Sequence, residues 1–190
     1  GILATIKMNS YSLRDIIDNL GNISENSNIS CNISYNITTN IVILDSIQDP
    51  GNMGTIIRTA DAAGFRGIII SKGCVDPYNP KVLRTTMGSI FHIPLHLCDN
   101  LKKTLTEIKA SNIRIYATHL KGSKNYYETD MTGNVAIIIG NEANGISNES
   151  QLMADELIRI PMPGKAESLN ASVAAGLLMY ESLRQRANPF

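Results

Sequence analysis

The sequence has little cysteine and no long hydrophobic run. Its 190 residues include three cysteines, at positions 31, 74 and 98, and no Cys-x-x-Cys pair. An odd number of cysteines with this spacing argues against a disulfide framework and against a zinc site. No stretch approaches the roughly 18 consecutive apolar residues that a membrane helix needs, and the first residues lack the pattern of a signal peptide. We therefore expect a cytoplasmic protein with reduced thiols, no bound metal and no membrane segment.

An excess of charge of one sign is also absent. Lys plus Arg and Asp plus Glu are present in equal numbers, 17 each. The net charge therefore argues neither for nor against a nucleic-acid partner, and any basic surface must be local. The dinucleotide fingerprint, the phosphate-binding Gly-rich loop and the G-x-S-x-G elbow are all missing from the sequence. These absences argue against an NAD enzyme, a P-loop nucleotidase and an ordinary serine hydrolase.

The chain alternates short apolar runs, rich in β-branched residues, with segments of helical periodicity. The runs predict strands at 41–45, 67–71, 92–97, 114–117, 135–140 and 157–160, and the segments between them predict helices at 53–64, 80–87, 101–110 and 168–186. Strand–helix alternation implies parallel strands, so we expect one α/β domain with a mostly parallel sheet flanked by helices. An Asn- and Ser-rich stretch at 21–40 precedes this pattern and predicts a loop or linker.

Three segments concentrate polar residues and glycines where a strand gives way to a loop, the place where open α/β sheets bind ligands. The first, LDSIQDPGNMGTIIRTADAAGF, spans 44–65 and contains Asn52 and Arg58. Helical spacing places Arg58 on the polar face, opposite the apolar face that includes Ile56 and Ala60. Considered alone, this segment favours the interpretation of Arg58 as an ordinary surface arginine.

The second and third segments follow later strands. In the second, AIIIGNEANGIS at 136–147, a buried strand is followed by a loop with two glycines and Glu142. We expect the Glu142 carboxylate in the same region as Arg58. The third, IRIPMPGKAESLNASVAAGLLMYE at 158–181, has a Pro/Gly loop followed by a helix predicted to begin at Ser168, with Asn170 in its first turn. Ser168 alone could be an ordinary helix cap.

Together, in this order, the three segments closely resemble the three motifs of the SpoU (TrmH-like) ribose 2'-O-methyltransferases of the SPOUT superfamily. The resemblance covers about 41–186 and implies a C-terminal trefoil knot, an S-adenosylmethionine cofactor and a homodimer. General rules of chain connection would have predicted an unknotted sheet. The opening GILA also resembles the junction after an L30e-like RNA-binding domain. We therefore expect 1–40 to be an N-terminal segment and linker, and 41–190 to be the catalytic domain.

The resemblance also implies which residues form the site. The family's catalytic positions correspond to Asn52, Arg58, Glu142, Ser168 and Asn170. Its cofactor positions correspond to Gly140, Ile160 and Leu169, with Thr118, Asn141, Gly145 and Met162 as further lining. The implied reaction is methylation of a ribose 2'-OH in RNA, with ribosomal RNA favoured over transfer RNA. The alternative is a catalytically silent RNA-binding or ribosome-assembly module with the same fold, which cofactor binding would distinguish.

Overall fold

The computed structural model describes residues 9–18 and 38–187. Most of the Asn-rich stretch at 21–40, together with Cys31, lies outside the described residues. The strands are β1 (Asn40–Asp45), β2 (Gly67–Ser71), β3 (Leu95–Cys98), β4 (Arg114–Thr118), β5 (Lys124–Asn125), β6 (Val135–Gly140) and β7 (Glu156–Arg159). The α-helices are α1 (Leu13–Ile17), α2 (Pro50–Ala62), α3 (Pro80–Thr86), α4 (Leu101–Ala110), α5 (Asn148–Met153) and α6 (Ala171–Arg186).

The strands form one sheet in the order β3-β2-β1-β6-β4-β7-β5. Every pairing between these strands is parallel, with β1 running beside β6 from Asn40↔Val135 to Asp45↔Gly140. The expectation of a mostly parallel α/β sheet is therefore confirmed. The insertion of β6 between β1 and β4 brings the ends of distant strands together at one edge of the sheet.

Helices cover both faces of the sheet, which explains why β1 and β6 are buried along their full length. Side chains alternate along each strand. In β1, Val42 and Leu44 pack towards α2, α3 and α6, whereas Ile41 and Ile43 pack towards α1 and α4. Helix α1 contributes Leu13, Ile16 and Ile17 to the second of these cores. Residues 13–17 are thus part of the same packed unit as the sheet.

Most of the helices begin after a residue whose side chain accepts a hydrogen bond from an amide of the first turn. Asp49 caps α2 by accepting a hydrogen bond from the Asn52 amide, and Pro50 occupies the first turn. The predicted strand at 92–97 is shorter in the structure, because a 3₁₀ helix at Ser89–Phe91 (η1) and its exit occupy the preceding residues. Three elements have no counterpart in the sequence prediction: α1, α5 and β5, which have only 5, 6 and 2 residues. Such short elements provide too few residues for a periodic signal.

None of the helices in the described residues is long and apolar enough to span a membrane. In the same part of the chain, no three His, Cys, Asp or Glu side chains are grouped so that they could hold a metal ion. Cys74 and Cys98 are free thiols, and burial raises the pKa of both above the ordinary value. They are therefore poor nucleophiles at neutral pH.

Candidate active site

Three of the predicted catalytic residues meet through direct hydrogen bonds. The Asn52 side chain donates from Nδ2 to Oε1 of Glu142 over 2.9 Å, and it accepts at Oδ1 from Nδ2 of Asn170 over 2.8 Å. These residues come from α2, the loop after β6 and the start of α6. The contacts therefore tie the three sequence segments to one another at the carboxyl edge of the sheet.

Glu142 is also held by main-chain groups of the loop before α2. The amides of Gln48 and Asp49 donate to its carboxylate over 3.4 and 3.3 Å. Partial burial raises the pKa of the Glu142 carboxyl, but the hydrogen bonds from Asn52 and from backbone amides outweigh this effect. The net pKa lies below the ordinary value, so Glu142 is ionised at neutral pH.

Asn170, not Ser168, caps the last helix. Its Oδ1 accepts from the amides of Ser172 and Val173, which leaves Nδ2 free to donate to Asn52. The expectation that the helix begins at Ser168 is wrong, because α6 begins at Ala171 and Ser168 is an exposed loop residue. The loop ends at Asn170 because its side chain accepts hydrogen bonds from two amides of the first helical turn.

Arg58 lies on the exposed face of α2, as its helical spacing predicts, while Ile56 and Ala60 are fully buried. The carboxylate of Glu142 binds Asn52 and does not pair with Arg58. Among residues 9–18 and 38–187, Arg58 makes no hydrogen bond or ion pair. Within this part of the chain, all the donors of its planar guanidinium are therefore unused.

The loop after β6 is a tight turn built on two glycines. Asn141 and Gly145 form a small antiparallel bridge, and Gly145 has a φ of +70° that favours glycine. An added Cβ at Gly140 would collide with the backbone of Gly145 and Ile146. The Asn141 side chain donates to the carbonyl of Ser46 and accepts from the amides of two turn residues. Both glycines and Asn141 thus shape the loop that presents Glu142.

A groove of about 630 Å³ lies between the loops that follow β4 and β7. Its lining is Leu120, Arg159, Ile160, Pro161, Met162, Pro163 and Glu167. Two of the predicted cofactor residues, Ile160 and Met162, are therefore in the groove. Leu169, a third predicted cofactor residue, does not line the groove; it is exposed, two residues after Glu167. Thr118 is half-buried and donates its hydroxyl to the carbonyl of Ile138.

Sequence reasoning missed two residues that build this edge. Buried Asp45, at the end of β1, accepts from the Ser147 amide over 2.8 Å and from the Ser150 hydroxyl over 2.6 Å, which fixes α5 beside the site. Gly122 lies against β7, where an added Cβ would come within 2.6 Å of the Ile158 carbonyl carbon. A strand-terminal Asp and a glycine in a loop after a strand are the only local signals of these roles.

Comparison with known proteins identifies the family. Residues 39–180 match the SpoU rRNA Methylase family. The chain is 41% identical over 140 residues to the Bacillus subtilis 23S rRNA (guanosine(2553)-2'-O)-methyltransferase RlmP, covering 74% of this chain and 56% of that protein. It is 39% identical over 146 residues to the Xylella fastidiosa 23S rRNA (guanosine-2'-O-)-methyltransferase RlmB, covering 77% and 59%. The chain belongs to the SpoU rRNA methylase family, and the resemblance seen in its sequence is confirmed.

A solved structure agrees with this assignment. The SpoU methyltransferase AviRb from Streptomyces viridochromogenes, in complex with the cofactor AdoMet, superposes with a TM-score of 0.75 at 34% identity. The match covers 81% of this chain and 60% of that one. The chain thus spans less than two thirds of the length of these relatives.

Proposed function

We propose that the chain is an S-adenosylmethionine-dependent RNA methyltransferase that methylates a ribose 2'-OH. The observation that carries the proposal is the hydrogen-bonded set of Asn52, Glu142 and Asn170. Arg58 follows on the same helix as Asn52 and is exposed, with no hydrogen bond or ion pair among the described residues. Amides and a guanidinium supply the hydrogen-bond donors that suit a hydroxyl beside a phosphate. Two relatives named as 23S rRNA methyltransferases favour ribosomal over transfer RNA as the substrate.

The groove fits the cofactor chemically. Leu120, Ile160 and Met162 supply apolar walls of the kind that accept an adenine ring and a thioether chain. Glu167 adds one carboxylate for the cationic part of the molecule. Ile160, Met162 and Leu169 would hold the cofactor, with Thr118, Gly140, Asn141 and Gly145 shaping the adjacent wall. When bound, S-adenosylmethionine supplies an electrophilic methyl group on a sulfonium.

The chain's own residues orient the hydroxyl and stabilise the charge that develops on it. Arginine has a pKa above about 12 and is a poor base. Arg58 therefore acts by donating hydrogen bonds to the 2'-oxygen and to a neighbouring phosphate as negative charge grows on the oxygen, while the hydroxyl proton passes to solvent water. Asn52, Glu142 and Asn170 fix the loops that face it. Ser168, on the exposed loop before α6, supplies a further hydroxyl for substrate or cofactor.

The same proposal includes a homodimer, a trefoil knot and a cytoplasmic location. Val173, Leu177 and Tyr180 recur at helical spacing on α6 and are 50%, 38% and 50% exposed. The opposite side of α6 packs Ala175 into the core, and Gly176 lies near Thr59 of α2. The small residues thus serve packing within the chain, and the exposed stripe is left for a second copy. We propose that 41–190 is the catalytic domain, against which α1 packs.

A transfer assay tests the proposed reaction. The full chain is incubated with S-adenosylmethionine carrying a labelled methyl group and with unmodified transcripts of ribosomal RNA or transfer RNA. We expect label on ribosomal RNA, at a position that resists alkaline cleavage because a methylated 2'-oxygen cannot attack the adjacent phosphate. A transcript with one 2'-deoxynucleotide at the target should bind normally and accept no methyl.

Two results would contradict the proposal. Label that stays with the free base after removal of the sugar would exclude ribose methylation. Failure to bind S-adenosylmethionine in calorimetry would instead favour the catalytically silent RNA-binding module. Arg58→Ala is the matched inactive control for the transfer assay, and in calorimetry it should still bind S-adenosylmethionine.

A further inference from the structure

One surface next to Arg58 is both basic and apolar. Between Asp76 and Asp99 the sequence contains no acidic residue, while it includes Lys81 and Arg84. This stretch contains α3 and η1. Its outer side leaves two large apolar side chains in water, since Met87 is 74% exposed and Phe91 is 61% exposed. We call Lys81, Arg84, Met87 and Phe91 the corner surface.

The corner surface is held against the helix that carries Arg58. Gly54 of α2 lies so close to α3 that an added Cβ would be 2.6 Å from Cβ of Thr85. Further along α2, a carboxylate oxygen of Asp61 lies 3.2 Å from Nδ1 of His92, the residue after η1. Gly54, Arg58 and Asp61 recur at helical spacing and share one side of α2. Arg58 thus lies between the two contacts.

The backbone that presents Phe91 is well anchored. Ile90 and Ile93, on either side of it, are buried at 8% and 3% exposure. Before them the chain turns at Met87 and Gly88, which have φ values of +50° and +96°. An exposed ring on an anchored backbone is a preorganised contact, because binding does not have to order the segment first.

We propose that the corner surface binds an unpaired nucleotide of the RNA substrate: the Phe91 ring stacks on a base beside Met87, and Lys81 and Arg84 bind phosphates. Single-stranded nucleic acid is bound in this way, by aromatic side chains that stack on bases and cations that follow the backbone. The inference rests on the proposed function, and it gives Arg58 a way to meet the ribose of a nucleotide held next to it.

A second copy of the chain is a poorer occupant of this surface. A symmetric contact would bring Lys81 and Arg84 of both copies into one interface. No acidic residue in this stretch would neutralise them. The uncharged stripe of α6 offers a separate surface for a second copy. The charge of the corner surface therefore favours RNA.

The test measures RNA binding by the full chain and its variants. The probe is a fluorescein-labelled single-stranded RNA of mixed sequence, and its Kd is read by anisotropy. We expect Phe91→Ala to raise the Kd about tenfold, a typical cost of losing one base stack, and Phe91→Trp to keep it within twofold. Leu152→Ala is the matched control, since Leu152 is 84% exposed on α5, and its Kd should not change. In transfer assays Phe91→Ala should raise KM for RNA and leave kcat unchanged.

A second measurement needs no variant. A probe containing 4-thiouridine is cross-linked by light to the parental chain, and the adduct is expected within residues 87–91. The inference is overturned if Phe91→Ala binds the probe as the parent does, or if the adduct lies elsewhere. A fall from dimer to monomer mass in Phe91→Ala with unchanged RNA affinity would show that the surface joins two copies. Loss of cofactor binding in the parent would contradict the proposed function alone, because the RNA Kd is read without cofactor.

Discussion

Replacing Asn52 by Asp is the sharpest test of the hydrogen-bonded site. Asn52 is 7% exposed, and its Nδ2 lies 2.9 Å from a Glu142 carboxylate oxygen. In Asn52→Asp, which has nearly the same shape, an oxygen replaces that donor and two carboxylates face each other. The variant keeps the acceptor for Asn170, so of the two side-chain hydrogen bonds of Asn52 only the one to Glu142 is lost.

The size of the effect follows from Coulomb's law. Two unit charges about 4 Å apart repel by about 4 kcal/mol at an effective dielectric constant of 20. A negative charge in the first turn of α2 recovers only about 0.3 to 1 kcal/mol from the helix dipole. Glu142 is exposed, and water reduces the repulsion further, so we expect a loss of about 2 kcal/mol in the free energy of unfolding at neutral pH.

The sign of the pH dependence distinguishes repulsion from simple loss of a contact. In the parent the Glu142 pKa is depressed, so its stabilisation is present above the ordinary value of 4.5 and is lost only as the pH falls through the folded pKa. In Asn52→Asp repulsion raises the pKa of the carboxylate pair. The loss in the free energy of unfolding caused by Asn52→Asp should therefore be largest at pH 7.5. It should be smaller at pH 5, where the two carboxylates share a proton.

Urea unfolding at pH 7.5 and pH 5 measures this difference. Asn52→Ala is the control, because it removes the hydrogen bonds without adding charge and should lose about 1 kcal/mol at both pH values. Equal penalties for Asn52→Asp at the two pH values would refute the electrostatic reasoning. So would a penalty at pH 7.5 no larger than that of Asn52→Ala.

Three further predictions concern transfer, folding and assembly. Arg58→Ala and Arg58→Lys should each reduce methyl transfer at least about 100-fold, with cofactor affinity by calorimetry within a few-fold of the parent; equal loss of both would contradict the role of Arg58. Gly140→Ala should lower the urea midpoint of unfolding, because the added Cβ meets the backbone of Gly145. Gly133→Ala should not, because the space around Gly133 is open; equal midpoints for the two variants would show that the turn after β6 rearranges to accept the Cβ. Leu177→Glu should shift the light-scattering mass towards the 20.7 kDa of one chain, while Leu152→Glu keeps the dimer; a parental mass for Leu177→Glu would exclude the α6 stripe.

Local pattern was sufficient for the elements that have strong periodicity. The bounds of β2, β6 and α4 agree with the sequence prediction, because long apolar runs and helical spacing are properties of neighbouring residues. The face of α2 that carries Arg58 was predicted for the same reason. The motifs also identified the family, since three long patterns in a fixed order are specific.

The sequence by itself therefore determined the α/β class, the family and the residue types of the site. Only the tertiary structure decided which of these residues meet. Asn52 bonds Glu142 and Asn170, which are 90 and 118 residues away in sequence, because β6 is inserted beside β1 and α6 returns to pack on α2. The helix start at Asn170 in place of Ser168, and the engagement of Glu142 by Asn52 and not by Arg58, depend on these long-range contacts. No local pattern encodes them, since each depends on where the sheet places the end of another strand.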